Sequence, residues 1–193
     1  MSRASLLFGA ISVSLFGLAL TVSSIGAANA AISVIGGRLA RTCYESVADG
    51  ADTARALDVC NTALEEEPLS ARDRAATMVN RGIIYLRRGY QDQALADFDA
   101  AIRIRPALAE GYINRGAAFL QQENYRAAID AFSEGINRTP EDPARAYYAR
   151  AIAYEEVGDI SAAYADYNRA AELSPDWNAP RSELTRFQVR RRN

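Results

Sequence analysis

The residues of this chain that could do chemistry are few, and their spacing is regular. Arginines recur at 81, 115 and 150, and two of them are matched sixteen residues later by Asp97 and Asp166. A guanidinium and a carboxylate so arranged can form a structural fork, whereas an unpaired guanidinium can hold an anion. The acidic pairs Glu65–Glu67 and Glu155–Glu156 have the residue type for paired-carboxylate catalysis, but they read as solvated helix ends or faces. Cys43 and Cys60 stand 17 residues apart. In a reducing compartment they would be buried thiols, and in an oxidising one a disulfide. The chain has no His, and all 22 of its basic residues are Arg. That removes the commonest general base, Schiff-base chemistry and His-containing metal sites. There is no Gly-rich phosphate loop and no G-x-S-x-G. Asn137-Arg138-Thr139 matches a glycosylation acceptor, a tripeptide short enough to arise by chance. No catalytic residue, cofactor or metal site is expected, and the chain does not read as an enzyme.

The regular spacing of the arginines belongs to a longer period. "NRGIIY" from Asn80 to Tyr85 returns as "NRGAAF" from Asn114 to Phe119, 34 residues later. Such a period is the mark of one supersecondary unit stacked on copies of itself. The unit from Ala75 to Pro106 carries Gly82, Tyr85, Gly89, Ala94, Phe98 and Ala101 before its closing Pro. That from Ala109 to Pro140 has Gly116, Phe119, Ala128, Phe132 and Gly135 at matching places, and that from Ala144 to Pro175 has Ala151, Tyr154, Gly158, Ala163, Tyr167 and Ala170. A degenerate copy with Ala56, Cys60, Ala63, Leu64 and Pro68 precedes them. Each unit holds two apolar-periodic stretches of about 13 residues, too short to be stable helices alone. The turn signals "RRGYQ", "QENY" and "VGDI" separate them, and Pro106, Pro140 and Pro175 stop the second helix of each copy. Stacking is what lets such hairpins bury both faces.

This pattern resembles the tetratricopeptide repeat (TPR) family over residues 37–175. The resemblance implies an all-α fold: a right-handed α-solenoid of stacked antiparallel helix hairpins closed by a C-terminal capping helix. The expected divisions are a degenerate hairpin over 31–74, repeats over 75–108, 109–143 and 144–177, and a cap with an Arg-rich tail over 178–193. The copies depart from the family in two ways. Arg stands at the seventh place, where an aliphatic residue is more usual, and Asn124 lies near the place of Gly89 and Gly158. In the family's register Cys43 and Cys60 take facing places, which predicts a disulfide across the first hairpin. Arg81–Asp97 and Arg150–Asp166 are expected to be pairs within a repeat, with an anion site as the alternative.

In this family function resides on the concave face lined by first helices. The register assigns Ala76, Val79, Asn80, Ile83, Leu86 and Arg87 to that face. From the next two copies it assigns Glu110, Ile113, Asn114, Ala117, Leu120 and Gln121, then Arg145, Tyr148, Ala149, Ile152, Glu155 and Glu156. An exposed aliphatic stripe results, suited to an extended or helical peptide whose main-chain groups the Asn amides would take. Of the residues that clamp a C-terminal carboxylate in one TPR subclass only Asn114 and Arg145 are matched, so that specificity is not implied. The expected function is a non-enzymatic adaptor or scaffold with a protein or peptide partner. The alternative is a self-assembling structural protein whose groove its own chains fill, so a homo-oligomer stays open.

Residues 4–37 carry no charge, Leu6–Leu20 is an apolar core of 15 residues, and Ala28 and Ala30 form an A-x-A site. A signal peptide over 1–30 is the expectation, with an uncleaved inner-membrane anchor as the alternative. Export points to the bacterial periplasm, with no membrane contact after cleavage. Net charge is −2, so nothing suggests nucleic acid. "DWNAPRSELTRFQVRRRN" reads as a last helix starting near Pro180, whose Arg-rich end complements the macrodipole.

Overall fold

The computed structural model describes residues 31–187, which form an all-α solenoid. The expected signal peptide, with its apolar core and A-x-A site, and Arg190–Arg192 lie outside the described residues. Four helical hairpins follow one another: α1 (Arg38–Ala48) with α2 (Ala54–Glu66), and α3 (Ala71–Arg87) with α4 (Gln91–Ile104). Next come α5 (Ala109–Gln121) with α6 (Tyr125–Ile136), and α7 (Pro143–Glu156) with α8 (Ile160–Leu173). The array closes with α9 (Asn178–Leu184) and a 3-10 turn over Thr185–Phe187. Among the described residues no helix is long and apolar enough to cross a membrane.

Local chemistry sets the boundaries. Thr53, Ser70, Asp142 and Asp159 each accept a main-chain N–H of the following first turn, satisfying donors that a helix start leaves without partners. Pro143 occupies the first turn of α7, where its missing N–H costs nothing. The last helix begins at Asn178 rather than at the expected Pro180. Pro180 still falls within the first turn, where no intrahelical N–H is required of it.

Each helix packs chiefly on its neighbours in the chain, and α1, α3, α5 and α7 also touch in succession. Inside a hairpin a large ring fills the space left by a small residue. A Cβ on Gly82 would sit 2.5 Å from Phe98 Cε1, and one on Gly116 would sit 2.8 Å from Phe132 Cδ1. Both rings are fully buried. In the third copy Ala151 and Tyr167 take these places. In the first hairpin a sulfur bridge joins the two helices. Cys43 and Cys60 lie with Sγ atoms 2.09 Å apart and Cα atoms 5.0 Å apart, a disulfide across α1 and α2. Closing a loop of this length contributes about 3 kcal/mol by restricting the unfolded chain. It does so where the repeat is least regular. At the far end Arg186 pairs with Glu155 and Glu183, and Phe187 packs on Tyr164 and Tyr167. The cap thus ties α9 back to α7 and α8.

Candidate functional site

The recurrent arginines lie between helices and are occupied. Arg81 makes a two-bond fork to Asp97, Nε to Oδ2 at 2.8 Å and Nη2 to Oδ1 at 2.7 Å, and donates to Asn61 Oδ1 on α2 at 2.8 Å. Arg150 repeats the arrangement with Asp166 at 2.7 and 2.9 Å and with Ser133 on α6 at 2.9 Å. Each guanidinium therefore joins three helices from two successive repeats. Burial pulls the Arg81 guanidinium down, but its hydrogen bonds to Asp97 and that charge outweigh the effect and raise it. At the other end of the fork burial pushes the Asp97 carboxyl up against the pull of Arg81. The direction at Arg81 is the one that matches the geometry, because an ionised carboxylate alone offers acceptors to both short bonds. The second copy has Ala131 at the Asp place, and Arg115 reaches across to Asp99 at 3.1 Å instead. Its buried Nε is left without an acceptor.

The aliphatic stripe is not the exposed surface that the register predicts. Val79, Ile83, Leu86, Ile113, Ala117 and Leu120 are buried, as are Asn80 and Asn114. Two causes are visible. Ile113 turns toward the second helix of its own hairpin, its Cδ1 occupying the space where a Cβ on Gly135 would lie. It fills a hole that Gly135 leaves, so it is core. Along α3 the cover is the chain itself. Residues 31–37 run extended, with Ile35 N–H donating to Asp73 Oδ1 at 3.1 Å and Ile32 meeting Asn80 two turns later. Asn80 Oδ1 accepts from Ile32 N–H at 2.9 Å, and its Nδ2 donates to Ile32 C=O at 2.8 Å. Ile32 and Val34 join the core, while Ile35 points away and is 65% exposed. Asn114, at the same place of the next copy, donates to Glu110 C=O at 2.8 Å.

The remaining assigned residues divide. Arg87 donates to Val47 C=O at the end of α1, so it serves as a helix cap. Arg145 pairs with Asp142 and lies over the Trp177 ring, and Tyr148 packs on Tyr167 and Trp177. Leu120 and Ile152 line a cavity of about 280 Å³ between α5 and α7, together with Tyr125, Gln91, Gln121, Glu123 and Glu156. Burial first, and then the charges of Glu156 and Glu123, push the Tyr125 hydroxyl up. The rim is thus negative. Glu123 also holds φ 58°, at the turn position that Gly89 and Gly158 fill in the sister copies with φ 79° and 81°. The left-handed residue at this turn of the second copy is therefore Glu123, not Asn124, which precedes α6 as its N-cap.

The TPR repeat family model matches residues 82–123, and a second tetratricopeptide repeat model matches 109–142 and 144–176. The chain belongs to the tetratricopeptide repeat family. Among curated relatives, Protein unc-45 homolog B of Danio rerio is 33% identical over 96 residues, 47% of this chain. The TPR array spans only 10% of that relative's length. Among solved structures, MamA 41-end from Desulfovibrio magneticus RS-1 superposes with TM-score 0.62 at 21% identity, covering 77% of this chain and 82% of that one. The first TPR of Spaghetti (RPAP3) bound to HSP90 peptide SRMEEVD superposes with TM-score 0.57 at 21% identity, covering 60% of this chain and 90% of that one. These likenesses establish the fold. The TPR family is typically non-enzymatic, and this TPR chain is a protein-interaction module.

Two features of the TPR array escape a reading by register alone. Asp73 accepts from the Ile35 main chain and from Ser70, whose hydroxyl in turn accepts from Asp73 N–H. Its signal is the capping sequence "SARD" ahead of an apolar run. Glu67 accepts from Leu39 N–H at 2.8 Å and Ala40 N–H at 3.0 Å. It supplies the cap that Gly37, the N-cap residue of α1, cannot.

Proposed function

We propose that this chain is an exported adaptor of the bacterial cell envelope whose concave face holds a segment of a protein partner. The cavity between α5 and α7 is the anchor point. Leu120, Ile152 and Tyr125 form its apolar wall, and Glu123 and Glu156 stand at its edge. The chemistry fits an apolar side chain flanked by a basic residue. The carrying observation is Glu123. A non-Gly residue in the left-handed region costs on the order of 1 kcal/mol, yet the second copy places a carboxylate there, at the cavity rim, where its sisters have Gly. The superposed RPAP3 domain, which is bound to an HSP90 peptide, supports the use of such a face for a peptide. The array has no set of clamp residues beyond Asn114 and Arg145, and both are engaged within the chain, so a C-terminal carboxylate is not the proposed target.

Crosslinking capture from the native envelope tests the reading. The wild-type chain should retain a partner that Ile152→Asp loses, with unchanged helical content. Capture that is equal for both would remove the cavity from the function. Export is tested separately by N-terminal sequencing of the native protein, expected to begin at Ala31. A second reading, self-assembly through groove filling, is favoured by the way residues 31–37 already cover α3. Light scattering during size-exclusion chromatography separates the two, since assembly requires a mass that rises with concentration.

A further inference from the structure

Asn80 treats residue 32 as a neighbouring strand would. One carboxamide gives both a donor and an acceptor to the two main-chain groups of Ile32, at 2.8 and 2.9 Å. Such pairing reads an extended backbone and is blind to side-chain identity. Asp73 adds a third main-chain contact at Ile35. Specificity comes from the pleat, because successive side chains of an extended segment alternate between faces. Ile32 and Val34 are 7% and 5% exposed, and Ile35 faces outward. The face along α3 therefore selects an extended segment with aliphatic side chains at alternate positions.

The same contacts are few enough to be exchanged. Main-chain hydrogen bonds with Asn80 and Asp73, an exposed one from Arg41 to Ile35 C=O, and two buried side chains hold residues 31–37, and among the described residues no ion pair involves them. The segment joins α1 through Gly36 and Gly37, the latter at φ 79°. Opening it as far as Gly36 leaves the first turn of α1 capped, since Glu67 holds Leu39 N–H and Ala40 N–H independently. Segments with few buried contacts open without global unfolding.

We infer that residues 31–37 are a resident occupant of a peptide groove along α3, and that the partner of this groove is an extended aliphatic segment which must displace them. This deepens the interaction reading above and rests on it. Displacement has a definite cost. A tethered occupant is present at an effective concentration of the order of millimolar, and affinity for a free segment falls by the fraction of time the groove is open.

The test uses the full chain and a fluorescein-labelled peptide AISVIGG, read by anisotropy. Ile32→Asp with Val34→Asp unseats the resident while leaving Asn80 and Asp73 in place. This variant should bind the peptide at least tenfold more tightly than the wild type, and adding Asn80→Ala should abolish the gain. Equal affinity, or no binding by a variant that melts like the wild type, overturns the inference. If the variant fails to fold, hydrogen exchange of the wild type decides. Exchange at Ile32 and Ile35 ahead of the α3 amides supports a removable occupant, whereas exchange only together with α3 makes the segment core and overturns it. Loss of envelope capture on Ile152→Asp with no peptide effect would sink this inference alone, and the converse pattern would sink the cavity reading alone.

Discussion

Replacing Asp97 by Ala should cost about 2 to 3 kcal/mol, and the figure follows from exposure. Breaking one side of a buried pair costs roughly 3 to 5 kcal/mol, because the other charge is left without compensation. An exposed pair is worth at most about 1 kcal/mol. The Asp97 side chain is 8% exposed and that of Arg81 is 20% exposed, so the fork stands nearer the buried limit. After the substitution Arg81 would keep Asn61 as a hydrogen-bond acceptor and the Tyr85 ring beside it, but no counter-charge in the fork. The second copy supplies an internal control. Asp99 holds Arg115 by a single 3.1 Å contact and its side chain is 46% exposed, so Asp99→Ala should cost under about 1 kcal/mol. For a chain of this length each kcal/mol moves the midpoint by about 2 to 4 °C, giving a drop of about 4 to 12 °C for Asp97→Ala. Urea melts at pH 7, with a double-mutant cycle through Arg81→Met, would measure both variants. If Asp97→Ala loses no more than Asp99→Ala, or the cycle shows no coupling, the fork is not what joins the repeats. The arginine row would then be open to the anion-binding alternative.

Acidification should loosen the N-terminal segment through Asp73. Burial pushes its carboxyl up, but hydrogen bonds from Ser70, Ile35 and Gly36 and the Arg72 charge prevail and lower it. A lowered carboxyl contributes stability that is present above the unfolded value of about 3.9 and is lost as pH falls below it. Wild type should therefore lose stability more steeply than Asp73→Asn below about pH 4, and parallel curves would refute this. Cys60→Ser should cost about 3 kcal/mol, with exchange accelerated in α1 and α2 more than in α7 and α8; uniform acceleration would mean the staple is not local. Glu123→Gly should stabilise by about 1 kcal/mol while weakening partner capture, and a loss of stability would show that the turn is unstrained. Phe98→Ala should cost about 3 to 5 kcal/mol, and Ile113→Asp should also melt early because it buries a charge under Gly135. An Ile113→Asp variant as stable as wild type would restore Ile113 to the surface.

Much of this architecture is legible in the sequence, because a stacked array must repeat its packing. Gly82 and Phe98 return as Gly116 and Phe132 since the same interhelical gap is filled each time. The Arg–Asp forks are legible for the same reason, and so is the disulfide, whose cysteines take facing places of the first hairpin. What the period could not show is where chemistry departs from it. Ile113 shares a register place with Val79, but Gly135 opens a hole in α6 that only a local volume argument reveals.

The covering of α3 was hidden for a different reason. The alternation of Ile32 and Val34 before a Gly-Gly turn is a strand signal, but it continues the uncharged run that begins at residue 4 and is masked by it. Position within a repeat fixes which chemical groups line a face. It does not fix what lies against them. Asn80 was placed to take main-chain groups, and it takes them, but from a segment seven residues long that belongs to no repeat. The occupant of a solenoid's groove is set by chain outside the period. A repeat register can therefore specify the kind of backbone a groove will hold while saying nothing of whether the groove is already full.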